Sequence, residues 1–181
     1  VKTALLIVAA VVAGLVLLVV IMLAMGSRLP KQHVASRAIH LQRTPSEVYA
    51  VLRNFGQHPK WRTDVKSVEL LGTVAGHERF REHGSNGTVT YEVLDDLPGQ
   101  RMITHIVDQD LGYSGSWEYD FTPTPDGTQL TITERGEVSN LMFRFLSRYI
   151  FGHTATIDAY LKSLAQHFGE TAVVVDGAGT K

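Results

Sequence analysis

The sequence predicts an α+β protein: an antiparallel β-meander with one dry face, covered by an amphipathic C-terminal helix and preceded by a helix able to cross a bilayer. Three observations predict it. No charge falls between Thr3 and Met25, where only Thr3 and Gly14 interrupt an apolar run. Between Trp61 and Val138, segments of about 7 to 12 residues with alternating polarity are separated by turn dipeptides. From Asn140 to Gly169, Phe145, Tyr149, Ile150, Ile157, Tyr160, Leu161, Leu164 and Phe168 recur at three- and four-residue intervals.

The apolar run is about 34 Å long as a helix, against a hydrocarbon thickness of about 30 Å. A cleaved signal peptide is the alternative, with Ala24 and Gly26 ahead of a cut before Ser27. The run is too long for that reading, because a signal's apolar region is about 7–15 residues. Residues 1–26 are therefore expected to be a transmembrane anchor that meets the bilayer through residues 3–25, in a single-pass protein of the cell membrane. Lys2 and the α-amino group on one side face Arg28, Lys31, Arg37 and Arg43 on the other, so the positive-inside rule leans towards a cytoplasmic domain. Ala10 and Gly14 form a small-xxx-small pair of the kind that arises by chance in such a span. The run holds no ionisable group to carry ion or proton transport.

Elsewhere the charge is balanced. Lysine and arginine number 17 and aspartate and glutamate 18, for a net charge of −1. That balance lacks the basic footprint of a nucleic-acid binder. The absence of cysteine excludes disulfides, thiol catalysis and cysteine-held metals.

After a linker, 27–33, a domain is expected over 34–170. His33 to Gln42 reads as a strand. Thr44-Pro45-Ser46-Glu47 opens a helix: Thr44 is the cap, Pro45 the first helical residue and Glu47 the return partner of a capping box. Val48, Val51 and Leu52 continue it to about Asn54. Gln57 to Trp61 reads as a short second helix or turn anchored by Trp61. Asn86-Gly87 and Asp126-Gly127 favour type I′ hairpins, and Leu97-Pro98-Gly99-Gln100 marks another turn. Asn86-Gly87-Thr88 also fits a glycosylation pattern, but the hairpin accounts for it. Val89, Tyr91 and Val93 share one face, as do Trp117, Tyr119 and Phe121, and Leu130 and Ile132. The apolar stripe of the last segment supplies the cover such a face needs. Gly152 is a mild interruption in that helix, and Gly169 occupies its C-cap position. Residues 171–181 are expected to be a mobile tail.

Several pieces, in order, resemble the START-like helix-grip superfamily (SRPBCC), more narrowly its polyketide cyclase/dehydrase and lipid-transport group. They are Thr44 to Tyr49, Pro59-Lys60-Trp61, Leu97 to Met102, Trp117 to Phe121, Gly127 to Val138 and the amphipathic helix. The resemblance covers roughly Val34 to Glu170. It implies a curved antiparallel sheet of about seven strands wrapped around a long C-terminal helix, with a cavity between them. It says little about chemistry, since such folds host carriers, receptors and cyclases.

Glu134 continues the parity of Leu130 and Ile132, which points its carboxylate inward. The alternatives are a bulge near Gly136 that turns it outward, or an arginine partner. His153 lies beside the helix stripe, where a histidine satisfied by a local partner is the commoner situation. His105 is on a strand of unsettled parity. Trp61, Tyr91, Trp117, Tyr119, Phe121, Glu134, Tyr149 and His153 are the expected ligand-binding residues, and Glu134, His153 and Tyr119 the candidate acid/base groups. The eight histidines show no ligand spacing, so neither a metal nor another cofactor is expected. Gly112 to Ser116 approaches a nucleophile elbow but lacks the last glycine and precedes a strand. Arg144 and Arg148, with Lys162, form a basic edge expected in solvent or against anionic head groups. The expected function is a membrane-anchored binding protein for a hydrophobic small molecule or lipid, for which no catalysis is required. An aromatase/cyclase- or dehydratase-like enzyme is the alternative, and an interaction module with a filled cavity a second one.

Overall fold

The computed structural model describes residues 1–85 and 87–177. Helix α1 (Lys2–Arg28) leads into β1 (Gln32–Leu41), α2 (Pro45–Arg53) and a 3-10 turn, Phe55–Lys60. Six strands follow: β2 (Val65–Val74), β3 (His77–Gly84), β4 (Gly87–Leu97), β5 (Arg101–Ile106), β6 (Tyr113–Thr124) and β7 (Gly127–Val138). The chain continues through α3 (Leu141–Leu146), a wide π turn (Ser147–Phe151), α4 (Ala155–His167) and β8 (Val174–Asp176). The strands form one antiparallel sheet in the order β2-β3-β4-β5-β6-β7-β1-β8. Its dry face packs on α4: Ile39, Leu130, Ile132 and Met102 meet Ile157, Leu161 and Leu164, all at most 1% exposed.

The expected capping box is present. Thr44 Oγ1 accepts from the Glu47 amide at 3.3 Å, and Glu47 Oε2 accepts from the Thr44 amide at 2.8 Å. Gln100 donates to the Leu97 carbonyl at 3.0 Å with Gly99 at φ 66°, a type II turn with Pro98 at its first central position.

Several local expectations need correction. Thr124 pairs with Gly127, so the central residues of that hairpin are Pro125 and Asp126. The proline ring holds φ negative, which excludes a type I′ turn. The β2–β3 hairpin takes both central residues to positive φ, Ala75 at 53° and Gly76 at 89°, with no asparagine to announce it. Asn86, and with it the expected turn and glycosylation pattern there, lies outside the described residues. The last helix is not continuous. Gly152 adopts φ 75°, which glycine takes freely, so the π turn ends there and α4 starts afresh. The segment expected as a tail has a partner, because β8 pairs with Arg37 to Ile39 of β1 and makes the strands eight. On β5, Met102 and Thr104 are buried, which puts His105 on the other face, 2.9 Å from Ser116 Oγ.

The junction after α1 is shorter and stiffer than a linker of 27–33. Helix α1 runs to Arg28 and β1 starts at Gln32. The backbones of α1 and α3 touch: a Cβ on Gly26 would lie 2.1 Å from the Leu141 carbonyl oxygen. Arg144, expected on a solvated basic edge, is instead buried here. Its Nε donates to the Val138 carbonyl at 2.9 Å and Nη2 to the Ser139 carbonyl at 2.9 Å. Nη1 reaches the Leu29 and Gly26 carbonyls at 3.2 and 3.4 Å, satisfying the end of α1. Arg37 is ion-paired with Asp158 and Asp176, and Arg43 lies 3.8 Å from Glu170.

Candidate functional site

The sheet and α4 do not close completely on one another. A cavity of about 510 Å³ remains between them, within the range of small-molecule sites. Strand alternation supplies one wall: Phe80 on β3, Tyr91 on β4, Met102 and Thr104 on β5, Trp117 and Tyr119 on β6. Phe80 stacks between Phe55 (3.8 Å between ring centroids) and Tyr91 (5.1 Å). Tyr160 projects from α4 and meets Trp117 edge-on at 5.5 Å.

One polar cluster lies where the 3-10 turn meets β3. Arg62 holds both oxygens of Asp64, at 3.2 and 2.6 Å, and Glu82 Oε1 at 2.7 Å. His58 Nε2 donates to the Leu52 carbonyl at 2.9 Å, and its Nδ1 lies 3.0 Å from Glu82 Oε1. Burial opposes the charge on Arg62, but the Asp64 hydrogen bond and the negative charge of Glu82 outweigh it and raise its pKa. Burial likewise opposes ionisation of Asp64, and Arg62 more than offsets this, holding the carboxyl below its ordinary range. The guanidinium also lies 5.0 Å from the Tyr160 ring centroid.

A second cluster is at the end of the cavity nearest α1. Glu134 projects inward, and β7 pairs with β6 in unbroken register through Gly136, so no bulge turns it away. Among the described residues no arginine holds it. Trp117 Nε1 donates to Oε2 at 3.0 Å, and His33 Nε2 lies 3.1 Å from Oε1. The His33 ring stacks on His153 at 4.2 Å. Burial, then the neighbouring His33, lowers the pKa of His153 and favours its neutral imidazole. Gly136 leaves room for His33: a Cβ there would sit 2.2 Å from His33 Cε1. Gly136→Ala is expected to displace His33 from Glu134 at a cost of about 1–3 kcal/mol. Urea unfolding reads the cost, and the Trp117 indole N–H resonance reports the disturbed carboxylate.

Between the clusters, Tyr119 and Tyr160 adjoin, and burial raises the pKa of both, Tyr119 to about 12. Both phenols are therefore neutral donors at physiological pH, not bases. The buried Tyr160 hydroxyl makes no hydrogen bond of good geometry among the described residues. Such a group costs about 1–3 kcal/mol. Tyr160→Phe should accordingly stabilise the empty protein by about 1 kcal/mol in thermal unfolding, while weakening any ligand that accepts from this hydroxyl.

Of the expected site residues, Tyr91, Trp117, Tyr119, Glu134 and His153 line the cavity. Trp61 does not; it is buried in the core, edge-on to Tyr160 at 5.2 Å. Phe121 is also core, edge-on to Tyr49, because by the end of β6 its face is covered by α2. Tyr149 is 54% exposed on the π turn, where the broken helix takes it off the stripe that α4 carries. Sequence reasoning missed Arg62, Asp64 and His58, which are close in sequence, Glu82, which the fold of β3 brings to them, and His33, which the pairing of β1 with β7 brings to Glu134.

The fold and cavity define a ligand-binding domain of the helix-grip kind. The family described as polyketide cyclase / dehydrase and lipid transport matches residues 32–169, and the chain belongs to it. Among solved structures, a START superfamily protein from Mycobacterium smegmatis is similar at TM-score 0.61 and 17% identity, covering 75% of this chain and 96% of that one. The Zhui aromatase/cyclase from a Streptomyces species aligns at TM-score 0.62 and 14% identity, covering 75% of this chain and 93% of that one. A conserved protein from Geobacillus kaustophilus aligns at TM-score 0.61 and 20% identity, over 78% and 99%. At these identities the likeness is one of fold. A search of the curated proteins gives no match.

Proposed function

We propose that this chain is a membrane-anchored binding protein that holds a hydrophobic small molecule or lipid in the cavity between the sheet and α4. The observation that carries the reading is a void of about 510 Å³ walled by aromatic side chains, with one enclosed hydroxyl, Tyr160, left for a ligand to satisfy. The chemistry recognised is an apolar body bearing a hydrogen-bond acceptor such as a carbonyl. A filled interaction module finds no support in a void of this size.

Anchoring is the second part of the reading. Helix α1 has mean hydropathy 3.3 over its most apolar window, none of which is buried in the protein. Arg28 ends the helix and Lys31 follows shortly after it, a pair that supports a cytoplasmic domain at the cell membrane. The test is native mass spectrometry of the full chain extracted in mild detergent, with uptake of a fluorescent fatty acid by the stripped protein. A co-purifying apolar molecule displaced by the probe is expected; a chain that is always empty and takes up no probe overturns the reading.

A second reading, an aromatase/cyclase- or dehydratase-like enzyme, draws on the Glu134, His33 and His153 cluster. There a neutral imidazole and a carboxylate share one end of the cavity, and such pairs serve acid/base steps. It requires turnover of a poly-β-keto thioester surrogate that disappears in Glu134→Gln while probe binding survives.

A further inference from the structure

The segment Leu141 to Ile150 leaves large apolar side chains uncovered. Phe143 is 46% exposed and Ile150 61%, with Tyr149 between these values, and Arg148 is exposed beside them. In a water-soluble domain these residues would be an unexplained loss of burial. Their position relative to α1 supplies an explanation.

Gly26 is the residue at which α1 and α3 make backbone contact, and it directly follows the apolar run that ends at Met25. The run is about as long as a hydrocarbon core is thick, so Gly26 falls at the boundary between acyl chains and head groups. The contact cannot slide, because Arg144 ties α3 to the Gly26 and Leu29 carbonyls while bonding the end of β7. Met22, one turn earlier, is already partly covered. The segment is therefore held at the depth of the boundary itself. There an aromatic and aliphatic face with an adjacent arginine is favourable, with apolar side chains among the acyl chains and the cation among phosphates.

We propose that Leu141–Ile150 is an interfacial element that lies on the bilayer crossed by α1, with Phe143, Tyr149 and Ile150 entering the acyl boundary. This rests on the anchored reading of α1. It adds a consequence for the cavity: Phe143, Ser147, Gly152 and His153 line its end nearest the anchor, so that end abuts the lipid phase. An apolar ligand then passes between bilayer and cavity along this element without crossing bulk water.

The absence of native cysteine makes the test direct. Phe143→Cys, Ile150→Cys, Leu15→Cys and Lys162→Cys, each in the full chain, are spin-labelled and reconstituted in vesicles of phosphatidylcholine and phosphatidylglycerol. Collision with oxygen is compared with collision with a water-soluble nickel chelate. Labels at 143 and 150 are expected to favour oxygen severalfold over the label at 162, with 15 deeper still. Aqueous labels at 143 and 150 with a lipid-exposed label at 15 overturn the interfacial element and leave the anchor standing. An aqueous label at 15 overturns both.

Discussion

Arg62→Met is expected to destabilise the domain by about 3–5 kcal/mol at neutral pH, because it strands the buried Glu82 carboxylate and releases the partly exposed Asp64 that the guanidinium now holds. Glu82 is 7% exposed and accepts from Arg62 at 2.7 Å, and Asp64 is held through both oxygens. The pH dependence follows from Asp64. Its carboxyl is held below the ordinary range in the folded protein, so the stabilisation is fully present above the unfolded value near about 4 and is lost as pH falls through the lower folded value. The difference between wild type and Arg62→Met should be widest above pH about 5 and narrow below pH about 4. Urea unfolding of both proteins at a series of pH values checks it; a difference that does not change with pH would leave only packing as its source.

Arg144→Met is expected to cost about 2–4 kcal/mol, and to spend it locally. The methionine keeps the apolar stem but abandons four carbonyls, those of Gly26, Leu29, Val138 and Ser139. Hydrogen exchange should quicken at the Leu29 and Val138 amides, which bond to Gly26 and Lys31 across this junction. Amides of Ile132 and Leu161 in the core should keep their protection. Uniform loss of protection would mean instead that the junction and the core unfold as one unit.

Features whose cause is local were legible in the sequence. The capping box at Thr44 and Glu47 and the turn at Pro98-Gly99, whose type the structure supplies, depend on neighbours within four residues. Alternation turned Trp117, Tyr119 and Glu134 towards the cavity because β6 and β7 pair without a bulge, and Tyr91 because β3 and β4 pair in continuous register around it. Features settled by distant partners were not. Gly152 has one residue type whether it sits inside a helix or ends one, and only its φ of 75° separates the cases. The pairing of β8 with β1 joins residues more than a hundred positions apart, and three residues give no periodicity to detect. Arg62, His58 and Glu82 meet because β3 folds back beside the 3-10 turn. Arg144 looked like half of a solvated i, i+4 pair with Arg148, and nothing in its neighbourhood announced that the end of α1 would cover it.

The order of the strands sets what the two edges of the sheet present to other copies of the chain. An open sheet offers two rows of unpaired backbone groups to its neighbours, a template on which another chain can pair. Here β8 ends one side after three residues. On the other side β2 is interrupted by irregularities between Val65 and Ser67 and between Leu70 and Gly72, with Lys66 and Glu69 exposed along it. Neither margin is a long, flat template, so the sheet offers a second copy of the chain little to extend.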